Sequence, residues 1–168
     1  MNRFAALTGV ELQVRQPSIW KREFEMSNAS GPVGTIVFPS LFRREAVASS
    51  DEGKWTLRER GLWKRKIEVL LPEKEKPLLS LEMRQFALMS KLKLPKYRML
   101  RLTRNVLRTS FRLTTTMNAE ICSLNLQMFP KFKGKMVIDS RGAEYEELPW
   151  LIFLVWFVSI IDQRRGGK

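Results

Sequence analysis

The sequence predicts a mainly β fold in which short antiparallel strands wrap a single apolar helix at the carboxy-terminal end. Three observations predict it. Turn-forming residues recur at Asp51-Glu-Gly53, Arg60-Gly61, Pro72 to Pro77, Leu94-Pro95, Met117-Asn118, Lys133-Gly-Lys135 and Arg141-Gly142, mostly about eight to twelve residues apart, the rhythm of an all-β sandwich or barrel. Between the turns apolar and polar residues alternate, as in strands with one buried and one wet face. The chain then ends in an unbroken apolar block, Leu148 to Ile161. A bilayer span takes about 20 apolar residues, whereas a block of about 10–14 is read as a helix buried in protein. A helix apolar all round has to be wrapped on every side.

The elements follow in chain order. Residues 1–33 are expected to form a strap or extra strand: Leu12, Val14, Ile19 and Phe24 can supply an edge strand, while Pro17 and the run Ser27 to Gly34 look like loop and linker. The main domain is placed at 34–168. Within it Ile67 and Val69 alternate with Lys66 and Glu68; Leu79, Leu81 and Met83 with Ser80, Glu82 and Arg84; Leu92 and Leu94 with Lys91 and Lys93. Phe111 to Thr116 and Ile121 to Leu126 read as a hairpin turning at Asn118, because threonine favours the pleat and Asn tolerates a turn conformation. One stretch also fits a helix, since Arg101, Arg104, Arg108 and Arg112 share one face of a helical wheel opposite Met99, Leu102, Val106 and Leu113. Strands are preferred there because Thr103, Thr109 and Thr114 to Thr116 are poor helix formers and no cap precedes Met99. The terminal helix is placed at about 147–163, with Glu144, Glu146 and Glu147 as favourable charge at its start. Trp55, Trp63, Trp150 and Trp156 are assigned to the core, and Trp20, between Ile19 and Lys21-Arg22, is allowed a surface role.

Composition narrows the chemistry. The 168 residues suit one domain, 44% apolar and 28% charged, and the single cysteine, Cys122, excludes an internal disulfide and fits a reducing compartment. The first ten residues reach Glu11 too soon to hold the apolar core of a secretory signal, so a cytoplasmic location is expected. Histidine is absent, which removes the commonest general base and metal ligand. One cysteine and no histidine cannot assemble a tetrahedral zinc site, and no phosphate-binding glycine motif occurs. Cys122 is read as a buried small apolar residue. No catalytic residue, metal or cofactor is assigned, and the protein is expected not to be an enzyme.

The formal charge is +13, and between Met83 and Ala119 every charged side chain is basic: Arg84, Lys91, Lys93, Lys96, Arg98, Arg101, Arg104, Arg108 and Arg112. A field of one sign attracts polyanions, whether nucleic acid or an anionic membrane face.

Many short strands followed by one apolar carboxy-terminal helix resembles the tubby-like superfamily, with its LURP-one-related proteins and phospholipid scramblases. The likeness rests on Gly34-Thr-Ile-Val-Phe38 as an entering strand, Asp51-Glu-Gly-Lys-Trp-Thr-Leu57, Gly61 to Val69, the hairpin at Asn118 and the terminal helix, and covers roughly 34–165. The resemblance implies a closed antiparallel β-barrel of about a dozen strands around one buried hydrophobic helix. It does not imply calcium-driven scrambling, because the proline-rich arm, cysteine cluster and acidic calcium loop of scramblases are lacking here.

The expected function is a non-enzymatic binding module for anionic lipid head groups or an acidic membrane surface, peripheral on the inner membrane face. The candidate contacts are Lys91, Lys93, Lys96, Arg98, Arg101, Arg104 and Arg108, with Lys64, Arg65 and Lys66 as a second cluster. Each basic side chain near an anionic surface contributes about 1 kcal/mol. The same charge would also serve a nucleic-acid binder through phosphate contacts. A further alternative is a tail-anchored membrane protein, with Trp150 and Trp156 as interfacial anchors and Arg164, Arg165 and Lys168 as the flank.

Overall fold

The computed structural model describes residues 2–40, 43–84, 86–127 and 132–166; Lys168 of the tail-anchor reading lies outside them. Twelve strands form one antiparallel sheet: β1 (Glu11–Arg15), β2 (Glu23–Asn28), β3 (Gly31–Val37), β4 (Glu45–Ser50), β5 (Gly53–Arg60), β6 (Lys64–Leu70), β7 (Leu79–Arg84), β8 (Met89–Lys93), β9 (Met99–Arg104), β10 (Ser110–Thr115), β11 (Glu120–Gln127) and β12 (Lys133–Ile138). Their order is β7-β6-β5-β4-β3-β2-β1-β12-β11-β10-β9-β8. The chain thus folds up and down, with β1 paired to β12 (Glu11 opposite Val137, Arg15 opposite Lys133), and the sheet curls into a nearly closed barrel. Its two ends, β7 and β8, face each other across a seam.

Helix α1 (Leu148–Gly166) threads this barrel, and every side chain from Leu148 to Asp162 is buried. A rise of 1.5 Å per residue makes it roughly 28 Å long. The inward residues of the alternating strands meet it on all sides. Phe153 lies edge-on to Phe4 (5.9 Å between ring centres) and tilted on Trp55 (5.7 Å), and Phe157 stacks on Phe38 (5.9 Å). Gly34 exists for this packing: a Cβ there would sit 2.7 Å from Phe153 Cζ and 3.0 Å from the Ser49 carbonyl oxygen. Glu147 accepts the Leu151 amide through its carbonyl (3.0 Å) and so opens the helix, and Pro149 occupies the first turn, where no backbone donor is needed.

Several sequence expectations change. Of the strap or extra strand expected at 1–33, the described residues supply strands, β1, β2 and the start of β3, and these lie in the middle of the sheet rather than at its edge. The stretch that looked like a linker is the β2–β3 hairpin, where Asn28 Oδ1 accepts the Ser30 amide (2.9 Å), Gly31 takes φ 127°, and a register shift after Met26 leaves Pro32 opposite Ser27. Proline at a bulge withdraws no ladder donor. Lys133-Gly-Lys135 is no turn but β12, and Gly134 is there because a Cβ would lie 2.7 Å from the Asn125 carbonyl oxygen and 3.2 Å from Val14 Cγ2. Arg141-Gly142 falls in a short 3-10 helix, Ser140–Glu144, opened by Asp139 Oδ1 accepting the Arg141 amide (3.0 Å). The helical alternative for Met99 to Leu113 is replaced by β9, a turn and β10. The hairpin at Asn118 (φ 62°) is present as expected.

Candidate functional site

Strand geometry decides which cations face water. Residues three apart share a helix face but lie on opposite faces of a strand, so Arg101 points outward from β9 while Arg104 points into the barrel. Arg65 points inward from β6 between the exposed Lys64 and Lys66. Both inward guanidiniums are committed. Asp162 near the end of α1 accepts Arg65 Nη1 on Oδ1 (3.1 Å) and Arg104 Nη1 on Oδ2. Arg65 also donates to Glu59, and Arg104 donates to the carbonyls of Ala87 (3.0 Å) and Arg84 (3.3 Å) in the β7–β8 connection. Arg165 Nη2 donates to Glu59 (2.7 Å), with Arg44 3.5 Å from its other oxygen. The side chains of Glu59 and Asp162 have no exposed surface, and that of Arg65 is 1% exposed. Arg65 and Arg104 are therefore removed from the expected lipid-binding set: they are internal cations that lock the helix end to the barrel wall.

The other expected contacts do not form one cluster. Lys91 and Lys93 stand on the outer face of β8, Lys91 directly opposite Arg101 on β9. Lys96 and Arg98 lie in the β8–β9 turn, where Arg98 is bonded to Glu147 (Nη1 to Oε2 3.3 Å) and sits 5.8 Å from the Tyr145 ring centre. Arg108 lies in the β9–β10 turn, its carbonyl accepting from Gln163 (2.8 Å). Lys66, Arg84, Lys91 and Lys93, with Glu82, Ser80 and Ser90, line a groove of about 850 Å³ along the seam between β7 and β8.

An up-and-down sheet sends alternate connections to the same end. The β1–β2, β3–β4, β5–β6, β7–β8 and β9–β10 connections all reach the pole where α1 ends, as the pairings Glu23 with Val37, Lys64 with Arg84 and Phe111 with Arg104 show. Among their described residues none is acidic, while Lys21, Arg22, Arg43, Arg44 and Arg108 lie in them. Arg164 and Arg165 join them from the helix. Arg164 lies flat over Phe38, 4.0 Å from the ring centre. Burial, then the neighbouring Arg22, lowers the Arg164 guanidinium's hold on its proton below the ordinary value. Arg165 is lowered by burial first and next by Arg65, against the opposing pull of Glu59. Cations suit this pole because a helix carboxy terminus carries partial negative charge. The opposite pole holds Asp51, Glu52, Glu73, Glu75, Asp139, Glu144, Glu146 and Glu147, mixed with Arg3, Lys74, Lys76, Lys96, Arg98 and Arg141. The barrel is thus charge-polarised along its axis.

No family model matches the chain, and no curated protein does. The fold is similar to the X-ray structure of a protein from Arabidopsis thaliana, with a TM-score of 0.55 and 12% sequence identity over 93% of this chain and 91% of that one. At that identity the likeness is one of fold.

Cys122 is wholly buried, and burial, helped by the Glu120 charge and opposed by a backbone hydrogen bond at Leu113, pushes its thiol up to about 12, so the nucleophilic thiolate does not form near neutrality. Among the described residues no three acidic or cysteine side chains gather as metal ligands, and no helix is long and apolar enough to cross a membrane. The sequence reading missed Lys21, Arg22, Arg43 and Arg44, because it sought runs of basic residues. Counting hairpins and grouping alternate connections would have found them. It also misplaced Trp63, which is 87% exposed, whereas Trp55, Trp150 and Trp156 are buried as expected and Trp20 is 88% exposed.

Proposed function

We propose that this protein is a non-enzymatic, peripheral binder of anionic phospholipid surfaces, met through the basic pole at which α1 ends. The observation that supports it most is the charge contrast between the poles, with no acidic residue among the described positions of five connections at one end and eight acidic residues at the other. A uniformly solubilising charge would have no such axis. Lys21, Arg43 and Lys64 are exposed there, and at about 1 kcal/mol each near an anionic leaflet they hold the protein reversibly. The seam groove, with Arg84 at its polar end and Lys66, Lys91 and Lys93 along it, offers room for a phosphorylated head group beside the same surface. Membership of the tubby-like superfamily and a place on the inner membrane face belong to this proposal; strand order and the threaded helix support the first.

The test is co-sedimentation of the whole chain with vesicles of phosphatidylcholine alone and of phosphatidylcholine with phosphatidylserine, beside duplex DNA of matched phosphate concentration, at two salt concentrations. Binding to the mixed vesicles that weakens with salt and exceeds binding to DNA supports the proposal. Tighter binding to DNA overturns it in favour of a nucleic-acid role.

A further inference from the structure

The basic pole carries something that charge alone does not require. Its connections end in large apolar side chains that point into water: Ile19 and Trp20 between β1 and β2, Leu62 and Trp63 between β5 and β6, Phe86 between β7 and β8, and Val106 and Leu107 between β9 and β10. Trp20, Trp63 and Phe86 are 88%, 87% and 86% exposed. An isolated exposed apolar residue is ordinary, but several on one rim mark a contact surface. Three of the connections are neighbours. Lys64 pairs with Arg84, which sets the Leu62–Trp63 turn beside Phe86, and the Arg104 amide donates to the Leu88 carbonyl (2.8 Å), which brings up Val106 and Leu107. Ile19 and Trp20 stand across the rim, since β1 and β2 lie mid-sheet, away from the seam. Among the described residues the opposite pole shows only Tyr97, between Lys96 and Arg98, and Met117 fully outward, and acidic side chains share that pole.

The occupant follows from what surrounds these tips. Cations ring them: Lys21 adjoins Trp20, Lys64 adjoins Trp63, Arg84 precedes the Phe86 turn and Arg108 follows Leu107. A protein partner could match apolar tips or a basic ring. A bilayer interface matches both at two depths, with phosphates at the level of the cations and acyl chains just below. Tryptophan and phenylalanine are suited to that boundary. We infer that the loop tips Trp20, Leu62, Trp63, Phe86, Val106 and Leu107 insert into the interfacial layer of an anionic membrane, so that the barrel stands on its basic pole with α1 pointing carboxy-terminus down.

The inference rests on the proposed membrane-surface function, and the experiment separates the two. The full chain is titrated with phosphatidylcholine–phosphatidylserine vesicles, with and without bromine on the acyl chains, while tryptophan emission is read. Of the five tryptophans only Trp20 and Trp63 are exposed, so they carry the response. Insertion predicts a blue shift and quenching by brominated lipid. The variant Leu62→Ser, Trp63→Ser, Phe86→Ser, Leu107→Ser, which touches only exposed turns and leaves every charge in place, should bind at least tenfold more weakly with an unchanged salt dependence. If the wild-type chain binds these vesicles but shows neither shift nor quenching, and the variant binds equally well, insertion is wrong and the electrostatic surface reading stands. If the wild-type chain does not bind them, both fall. Concentration-dependent dimerisation without lipid, abolished in the variant, would also overturn insertion and give the tips to a second copy.

Discussion

Asp162→Asn should destabilise the protein by about 3–5 kcal/mol, the usual cost of leaving buried charge without its partner. The carboxylate stands between two guanidiniums, with Arg65 on one oxygen and Arg104 on the other. Asparagine keeps one acceptor, turns a donor toward the second guanidinium and removes the negative charge. Arg104 would then lose its carboxylate while keeping the Ala87 and Arg84 carbonyls, and Glu59 would face Arg44, Arg65 and Arg165 without the second carboxylate. A domain of this size loses roughly 2–4 °C in Tm per kcal/mol, so the expected fall is roughly 6–20 °C, with urea denaturation giving the free energy directly. Because total stability is typically about 5–15 kcal/mol, the variant should still fold. Adding Arg104→Met to Asp162→Asn should cost less than the two single changes summed, since it removes a cation that Asp162 balanced. A loss below about 1 kcal/mol for Asp162→Asn would refute the claim that this cluster pins the helix end.

Other outcomes follow from the same contacts. Gly34→Ala should cost about 1–3 kcal/mol by overpacking, with part restored by Phe153→Leu, as read by urea denaturation; additive costs would rule out the Gly34–Phe153 contact as the reason. The Cys122 thiol, raised from 9.0 to about 12 in the fold, favours the native state fully below pH 9; above it the unfolded chain releases a proton that the folded chain keeps. Stability should therefore fall by about 1.4 kcal/mol per pH unit between those values, and the stability difference between the wild type and Cys122→Ala, followed by urea denaturation from pH 8 to 10.5, should show that fall; a difference that stays flat with pH would contradict the raised thiol. Arg104→Glu should unfold the protein by setting a carboxylate against Asp162, while Arg101→Glu, on the outer face, should fold normally, which circular dichroism melts distinguish; equal melting would contradict the inward and outward assignment.

The fold was legible where the side-chain period is strict. Leu79, Leu81 and Met83 or Leu92 and Leu94 declare their strands by alternation, and the unbroken block from Leu148 declares a helix needing a wrapper. The amino-terminal strands were not, because Pro32 and the glycines at 31 and 34 signal a linker locally and are explained only by a bulge, a hairpin and the approach of Phe153. The candidate site was legible in its sign and not in its place. A run of arginines reads as a face, yet in β9 the pleat sends Arg104 to Asp162 and Arg101 to solvent. Trp63 sits in a run that looked like strand, and only the tightness of the turn at Gly61, with φ 86°, pushes it out. The pole itself is assembled from segments tens of residues apart, so no local window could show it.

The most direct test compares two charge-matched variants for affinity to phosphatidylserine-containing vesicles: Lys21→Glu, Arg43→Glu, Lys64→Glu at the basic pole, and Lys74→Glu, Lys76→Glu, Lys96→Glu at the opposite one. Net charge changes equally in both, so only position differs. At about 1 kcal/mol for each cation lost from the surface, the first should bind roughly a hundredfold more weakly than the wild type and the second within a few fold of it. Equal weakening would show that total charge, and not the pole at the end of α1, governs binding.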